Sequence, residues 1–188
     1  MLYGLNKMMK NILAVGVLIL PLQCLAAVSA GDENFLSGLF DQQWVGVKYD
    51  KLALTQGSTP QIRAFAQSEL DMYRTLATRM QALDGKAPGI LLTLSDGQRH
   101  DTSNRKLVDD TVLLSKLSGD QFDKEYLLRV VLTHQRMMRH DLREIDGGRG
   151  SPEVLAYARD MLATLNDQTE AAGGLYSGQV NPPGPPPP

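Results

Sequence analysis

The side chains best suited to chemistry in this chain lie on two predicted helices. Glu69 and Met72 are three residues apart on one helix, and His134 lies on another with Met137 and Met138 one turn further on. A carboxylate and an imidazole at facing positions can hold iron, whereas thioethers with an imidazole suit Cu(I). Glu69, Met72 and His134 are therefore the candidate metal ligands.

A purely structural interpretation competes with this metal site. A ferritin-like di-iron centre needs inward carboxylates on all four helices and Glu-x-x-His on two of them. Here Met72 takes the place of that histidine after Glu69, and the third and fourth helices carry no Glu-x-x-His. Methionine at helical spacing is typical of a core, and a lone buried histidine usually has a hydrogen-bond partner, here Glu69 or Gln168. We expect no metal and no cofactor, with copper or iron binding as the alternative.

The remaining reactive residue types do not form a catalytic motif. His140 follows His134 by six residues, about 240° around the helix, so the two cannot ligate one ion directly; His100 lies in a polar segment. The sequence has no Gly-x-Ser-x-Gly, and the glycine-rich stretch 147–150 lacks the strand and lysine of a phosphate loop. We expect a protein that is not an enzyme.

A basic stripe follows the third long helix. Arg129, Arg136 and Arg143 recur every seven residues, so they could bind an acidic partner or anionic lipid. Acidic residues interleave with them on the same helix: Glu125, Asp141 and Glu144. Such spacing favours a solvated, salt-bridged face, and binding through the three arginines is the alternative.

Two copies of one motif indicate how the elements that carry these residues are arranged. Residues 59–66 read Thr-Pro-Gln-Ile-Arg-Ala-Phe-Ala, and residues 151–158 read Ser-Pro-Glu-Val-Leu-Ala-Tyr-Ala. Each copy is a hydroxyl cap followed by a proline at the first helical position. Two copies of one helix start predict two helical hairpins, and therefore a four-helix bundle.

Hydrophobic periodicity predicts four long helices and one short helix. The long ones are 32–56, 60–83, 120–145 and 152–172; the short one is 104–117, preceded by a crossover segment that includes 90–94. A capping box is expected at Ser58-x-x-Gln61. The predicted inward residues are Leu36, Phe40, Trp44, Val47 and Leu54; Ile62, Phe65, Glu69, Met72 or Tyr73, Leu76, Met80 and Leu83; Phe122, Tyr126, Val130, His134, Met137 or Met138, and Ile145; and Val154, Tyr157, Met161, Leu165 and Gln168.

The first thirty residues read as a secretory leader. Lys7 and Lys10 precede an apolar run over 11–22, which is too short to span a bilayer comfortably, and small residues favour cleavage after Ala30. Cys24 follows Gln23 rather than the small residue that acylation needs, so we do not expect a lipoprotein. The mature chain would lie in the periplasm without disulfides and without a membrane span.

Composition and charge limit the partners of the mature chain. Removing the two leader lysines from 19 basic residues leaves 17 against 21 acidic residues, a formal charge of −4, which argues against nucleic acid. Residues 31–172 suffice for one bundle domain. Residues 173–188 are predicted to form a disordered Gly/Pro-rich tail, whose prolines favour polyproline II.

In its motifs and their order, the chain resembles the domain of unknown function 4142, an exported bacterial family of ferritin-like bundles. The motif Leu-Ser-Gly-x-x-Phe-Asp-x-x-Tyr over 117–126 carries most of the resemblance. Residues 52–53, 57–58, 64–67, 134–135 and 162–165 add to it, and it extends over about 34–172. The resemblance implies an acid in the first helix, an Asp-His pair in the second and a histidine in each of the other two. These fall at Gly46, Asp71-Met72, His134 and Gln168, so the first-helix acid is lost and only one of the three histidines, His134, is retained.

We therefore expect an exported, all-α, ferritin-like four-helix bundle with a crossover segment and a short extra helix. Its expected role is a non-enzymatic one in the periplasm, either binding another envelope protein or acting in envelope stress. A metal-binding protein that uses the bundle core is the alternative.

Overall fold

The computed structural model describes residues 29–84 and 104–180, which form five helices. These are α1 (Ala30–Gln56), α2 (Pro60–Asp84), α3 (Asn104–Ser115), α4 (Gly119–Gly147) and α5 (Pro152–Val180). The prediction of an all-α chain with four long helices and one short helix is confirmed. The leader with Lys7, Lys10 and Cys24, the segment 85–103 with His100, and the prolines of 181–188 lie outside the described residues.

Reciprocal contacts at the two ends of the bundle establish the helix directions. At the start of α1, Asp32 accepts a hydrogen bond of 3.0 Å from the N–H of Ser151, between α4 and α5. In the first turn of α4, Asp123 accepts one of 2.9 Å from the N–H of Ser58, between α1 and α2. The loop of each hairpin thus lies at the start of the other, so α1 and α4 are antiparallel and α2 and α4 are parallel. The end of α2 and the start of α4 therefore lie at opposite ends of the bundle, as in ferritin-like folds.

The repeated motif caps both second helices as predicted. The Thr59 hydroxyl accepts a hydrogen bond from the N–H of Ile62 at 3.2 Å, and the Ser151 hydroxyl accepts one from Val154 at 3.4 Å. The predicted capping box at Ser58 is wrong. The Ser58 hydroxyl instead donates to the Asp123 carboxylate at 2.5 Å, because the loop packs against the start of α4.

The inward face of α2 is confirmed, and Leu36 and Val47 of α1 are buried as predicted, but the rest of the face predicted for α1 is rotated. The buried stripe of α1 runs through Leu39, Gln43, Gly46, Asp50 and Ala53, whereas Trp44 and Leu54 are half-buried. The hydrophobic pattern misplaced this face because two polar side chains and a glycine occupy it. Apolar periodicity locates a buried stripe only where the stripe is apolar.

The fourth long helix is longer than predicted. Residues 173–180 continue α5 rather than begin a tail, since the chain keeps apolar contacts beyond the two glycines. Ala172 is buried, and Leu175 packs against the same apolar cluster. A glycine ends a helix when it turns into the left-handed conformation, as Gly148 does at the end of α4 with φ 58°.

No helix in 29–84 or 104–180 combines the length and the apolar character that crossing a membrane would require.

Gly46 is required by the close approach of α1 and α2. A Cβ at this position would overlap the hydroxyl and ring of Tyr73, which is 3 % exposed and has little room to move. By contrast, a Cβ on Gly173 in α5 would meet nothing within 4 Å.

We expect Gly46→Ala to lower the free energy of unfolding by about 1–3 kcal/mol through overpacking. The matched control, Gly173→Ala, should raise it by roughly 0.5–1 kcal/mol, since alanine is the better helix former. Urea unfolding of the two variants measures both effects. Equal effects of the two substitutions would show that the contact with Tyr73 is unimportant.

Candidate functional site

A layer of polar side chains crosses the middle of the bundle and divides its core into two apolar clusters. We call this set the central polar layer: Asp50 on α1, Glu69 on α2, Tyr126 and His134 on α4, and Thr169 on α5. On one side lies a cluster that includes Leu39, Met72, Met137 and Met161. On the other lies a cluster that includes Ala53, Phe65, Val130 and Ala172. All four long helices contribute to the layer, so it fixes where they meet.

The central contact joins Glu69 and His134. Nε2 of His134 lies 2.8 Å from Oε2 of Glu69, and both side chains are fully buried. Nδ1 of His134 lies 3.3 Å from the Thr169 hydroxyl, which itself donates to the carbonyl of Leu165 at 2.7 Å. The Thr169 oxygen can therefore accept from Nδ1–H, which leaves Nε2 of His134 facing the Glu69 carboxyl group.

Asp50 is the second buried acid of the layer. The hydroxyl of Tyr126 donates to its Oδ1 at 2.8 Å. Burial, together with the nearby charge of Glu69, raises the pKa of Asp50 well above its ordinary value, which favours the neutral carboxyl group. Its Oδ2 and both oxygens of Glu69 have no aligned hydrogen bond within the described part of the chain.

The sequence analysis missed Asp50 because it placed the first-helix acid at Gly46. Asp50 lies one turn further along the same face, and Tyr73 fills the space that a side chain at Gly46 would take. The Tyr73 ring meets that of His134 edge-on, with centroids 6.3 Å apart. The spacing of Gln43, Gly46 and Asp50 at steps of three and four was the available signal.

The structure brings together two of the three candidate ligands. Glu69 and His134 meet, whereas Met72 belongs to the adjacent apolar cluster. Gln168 is half-buried, and its neighbour Thr169 makes the contact with His134. Among residues 29–84 and 104–180, no group of three or more His, Cys, Asp or Glu side chains could hold a metal ion.

Another buried acid, Asp141, lies outside the central polar layer, closer to the hairpin loop between α4 and α5. It was not identified from the sequence. It is fully buried, and neither of its oxygens has a hydrogen-bond partner among the described residues. Burial raises its pKa to about 8. Its charge also contributes to raising the pKa of Tyr157, whose hydroxyl accepts from Gln43 at 3.3 Å. Asp141 lies four residues after Met137, so extending the α4 stripe by one turn would have found it.

The basic stripe of α4 separates into two parts. Arg129 contacts Asp110 at 3.1 Å and Glu125 at 2.7 Å, and it lies over the ring of Tyr49. Arg136 and Arg143 are exposed. The predicted salt-bridged face is confirmed at Arg129, which holds α3 and α1 against α4.

An open groove runs along the outer surface between α4 and α5. Its volume is about 640 Å³. One side is formed by Gln135, Met138, Arg139 and Leu142, and the other by Arg159, Leu162, Ala163 and Asn166. We call this feature the α4–α5 groove.

Comparisons with known proteins agree with this architecture. The family model of the domain of unknown function DUF4142 matches residues 21–175. A crystal structure of a DUF305 fragment from Deinococcus radiodurans is similar, with 16 % identity and a TM-score of 0.66 over 80 % of this chain and 97 % of that one. At this identity the likeness shows the fold alone. No curated protein matches the chain significantly.

The pairing of Glu69 with His134 can be measured by a double-mutant cycle with Glu69→Met and His134→Leu. Each single change should lower the free energy of unfolding by about 3–5 kcal/mol, because it leaves one buried polar group unpaired. The double variant should be clearly more stable than the sum of the two effects. Asp71→Met, which removes an exposed carboxylate from the same helix, should cost less than about 1 kcal/mol. Strictly additive effects would mean that the two groups do not interact.

We expect Asp141→Asn to stabilise the protein increasingly as the pH rises from about 4 to about 8. Within that range the unfolded chain has released the Asp141 proton while the folded state, with its pKa of about 8, retains it. The wild type therefore loses up to about 1.4 kcal/mol per pH unit relative to the variant. Denaturant unfolding at several pH values measures this, with the exposed Asp146→Asn as control. Parallel curves for Asp141→Asn and wild type would contradict the raised pKa.

Proposed function

We propose that this chain, which belongs to the family of the domain of unknown function DUF4142, is an exported periplasmic binding protein that acts by docking to another envelope protein. The observation that carries this proposal is the contrast between its closed interior and its open surface. The side chains best able to do chemistry are enclosed in the core and contact one another, whereas the outer face of α4 and α5 presents an open groove.

The enclosure of the central polar layer supports a non-enzymatic role. Asp50, Glu69 and His134 are fully buried, between two apolar clusters that close the bundle above and below them. A substrate could reach them only if the helices separated. Such separation would expose both the apolar clusters and the Glu69–His134 pair to water.

The surface supports binding through α4 and its neighbours. Leu128, Leu132 and Leu142 of α4 are 40–44 % exposed. Leu113 of α3 is 54 % exposed. Exposed apolar residues rimmed by charge are typical of protein interaction surfaces.

Export rests on the leader, with Lys7 and Lys10 before the apolar run of 11–22. Expressed from its native sequence in a bacterium with two membranes, the protein should be released by osmotic shock. Its mass should correspond to a chain that begins at Gly31. Full-length protein retained in the cytoplasm would contradict export.

The interaction itself is tested by cross-linking in intact envelopes, followed by capture of the protein and identification of what is bound to it. We expect one reproducible partner in stoichiometric amount. The same experiment on a variant with Leu128 and Leu132 changed to Asn should show whether the partner uses the exposed leucines or the α4–α5 groove. The absence of any reproducible partner would count against the proposed function.

Metal binding is the second candidate, and one observation favours it. Asp50 and Glu69 together have three buried oxygens without an aligned hydrogen bond in the described part of the chain, next to the imidazole of His134. Elemental analysis for Fe, Mn, Cu and Zn should be made on protein purified from periplasm. Stoichiometric metal that is lost in His134→Ala but kept in His140→Ala would favour this candidate over the interaction role.

A further inference from the structure

We infer that the α4–α5 groove is a docking site for an acidic amphipathic helix of the partner protein. This inference rests on the proposed function and adds the site and the chemistry of the partner. It is argued from the shape of the groove, from the two arginines at its edges and from the charges that surround it.

The shape of the groove fits a helix. Gln135, Met138, Arg139 and Leu142 are spaced i, i+3, i+4 and i+7 on α4, and Arg159, Leu162, Ala163 and Asn166 have the same spacing on α5. Each set is one ridge of side chains about two turns, or ~11 Å, long. Two parallel ridges with apolar residues at their centre form the kind of groove that accepts the apolar face of a third helix.

The charge at the edges of the groove specifies an acidic partner. Arg139 and Arg159 are both exposed, and neither takes part in an ion pair within the described part of the chain. Other arginines of the bundle are engaged differently: Arg129 has two carboxylate partners, and Arg79 of α2 pairs with Asp160 of α5 at 2.6 Å. Two guanidinium groups beside an apolar floor fit a helix with apolar residues on one face and carboxylates next to them.

A second copy of this chain is not the occupant that the charges favour. A two-fold dimer would place the same patch against itself, so Arg139 and Arg159 of one copy would meet those of the other. The lining of the groove contains two arginines and no carboxylate, so four guanidinium groups would then meet across an apolar contact. This arrangement is repulsive.

An anionic membrane surface is also disfavoured. Glu153, Asp160 and Asp167 recur every seven residues along α5 and are all exposed, close to the ridge that carries Arg159. At physiological salt a charge acts over about 8 Å, and these carboxylates are on the same helix as Arg159. They would repel a continuous layer of anionic headgroups, whereas a single helix can place its acids only at the arginines.

Fluorescence anisotropy with the purified full chain tests the inference directly. The probe is a labelled 18-residue helical peptide with leucines at i, i+3, i+4 and i+7 and glutamates beside them. We expect saturable binding that weakens at least ~10-fold in Arg139→Glu/Arg159→Glu, since two favourable charge contacts become unfavourable. Leu142→Asn should also weaken it.

A matched control separates the groove from general electrostatics. Arg136→Glu/Arg143→Glu makes the same change in net charge with two exposed arginines of α4 that do not line the groove, and it should change the affinity less than ~2-fold. Circular dichroism establishes that each variant is folded. Equal weakening by the two double variants would overturn the inference, as would equal binding of a peptide with lysines in place of the glutamates.

Three further outcomes are informative. In the first, the acidic peptide does not bind, but vesicles with anionic lipid bind the wild-type protein and not the variant with Arg139 and Arg159 changed. This result would overturn the helical partner in favour of a membrane surface. In the second, the cross-linked envelope partner still binds Arg139→Glu/Arg159→Glu, and the peptide does not bind the wild-type protein. The inferred docking site is then wrong, while the proposed function stands. If neither partner nor peptide binds, both fail.

Discussion

The structure depends on giving polar partners to two carboxyl groups and an imidazole in the middle of a four-helix core. Burying a lone charge costs several kcal/mol, so each group needs such a partner. Glu69 lies 2.8 Å from His134, and Asp50, whose pKa is raised by burial, accepts a hydrogen bond from Tyr126. The contacts among Glu69, His134 and Thr169 can form only if α2, α4 and α5 meet at one level. The polar layer therefore fixes the register that apolar packing alone would leave open.

The two ends of the bundle are held by a second set of polar contacts. Asp32 and Asp123, each near the start of the first helix of its hairpin, reach the loop of the opposite hairpin at Ser151 and Ser58. Burial raises the pKa of Asp32, but the hydrogen bonds from Ser151 and Ser29 outweigh it, so the pKa is lowered. The same arrangement at both ends reflects the repeated motif. The hairpins are thus joined at both ends and at the centre, with apolar clusters between.

The polar contacts at the centre and at both ends hold the helices together, so the surface is the more informative place to look for function. The reactive side chains of the central polar layer contact one another inside the bundle. Tyr73 fills the space into which an acidic side chain at the position of Gly46 would project. On the outside, Arg129 is committed to joining three helices. Arg139 and Arg159, by contrast, flank apolar residues without partners of their own among the described residues. The pattern suits a scaffold that presents a groove while its interior stays closed.

Much of this architecture was readable from the residues themselves. The duplicated caps at Thr59 and Ser151, the α2 stripe and the 117–126 motif predicted the hairpins, the all-α bundle and its family, because helix signals are local. Only part of the central polar layer could be identified from the sequence. Glu69 and His134 stood out on apolar stripes, whereas Asp50 and Asp141 resembled ordinary charged residues of exposed faces. Whether a carboxylate is buried depends on what the other helices place opposite it, and spacing along one helix does not contain that information. Tertiary packing alone decided which acids lie inside, which arginines have partners and that α4 and α5 enclose a groove.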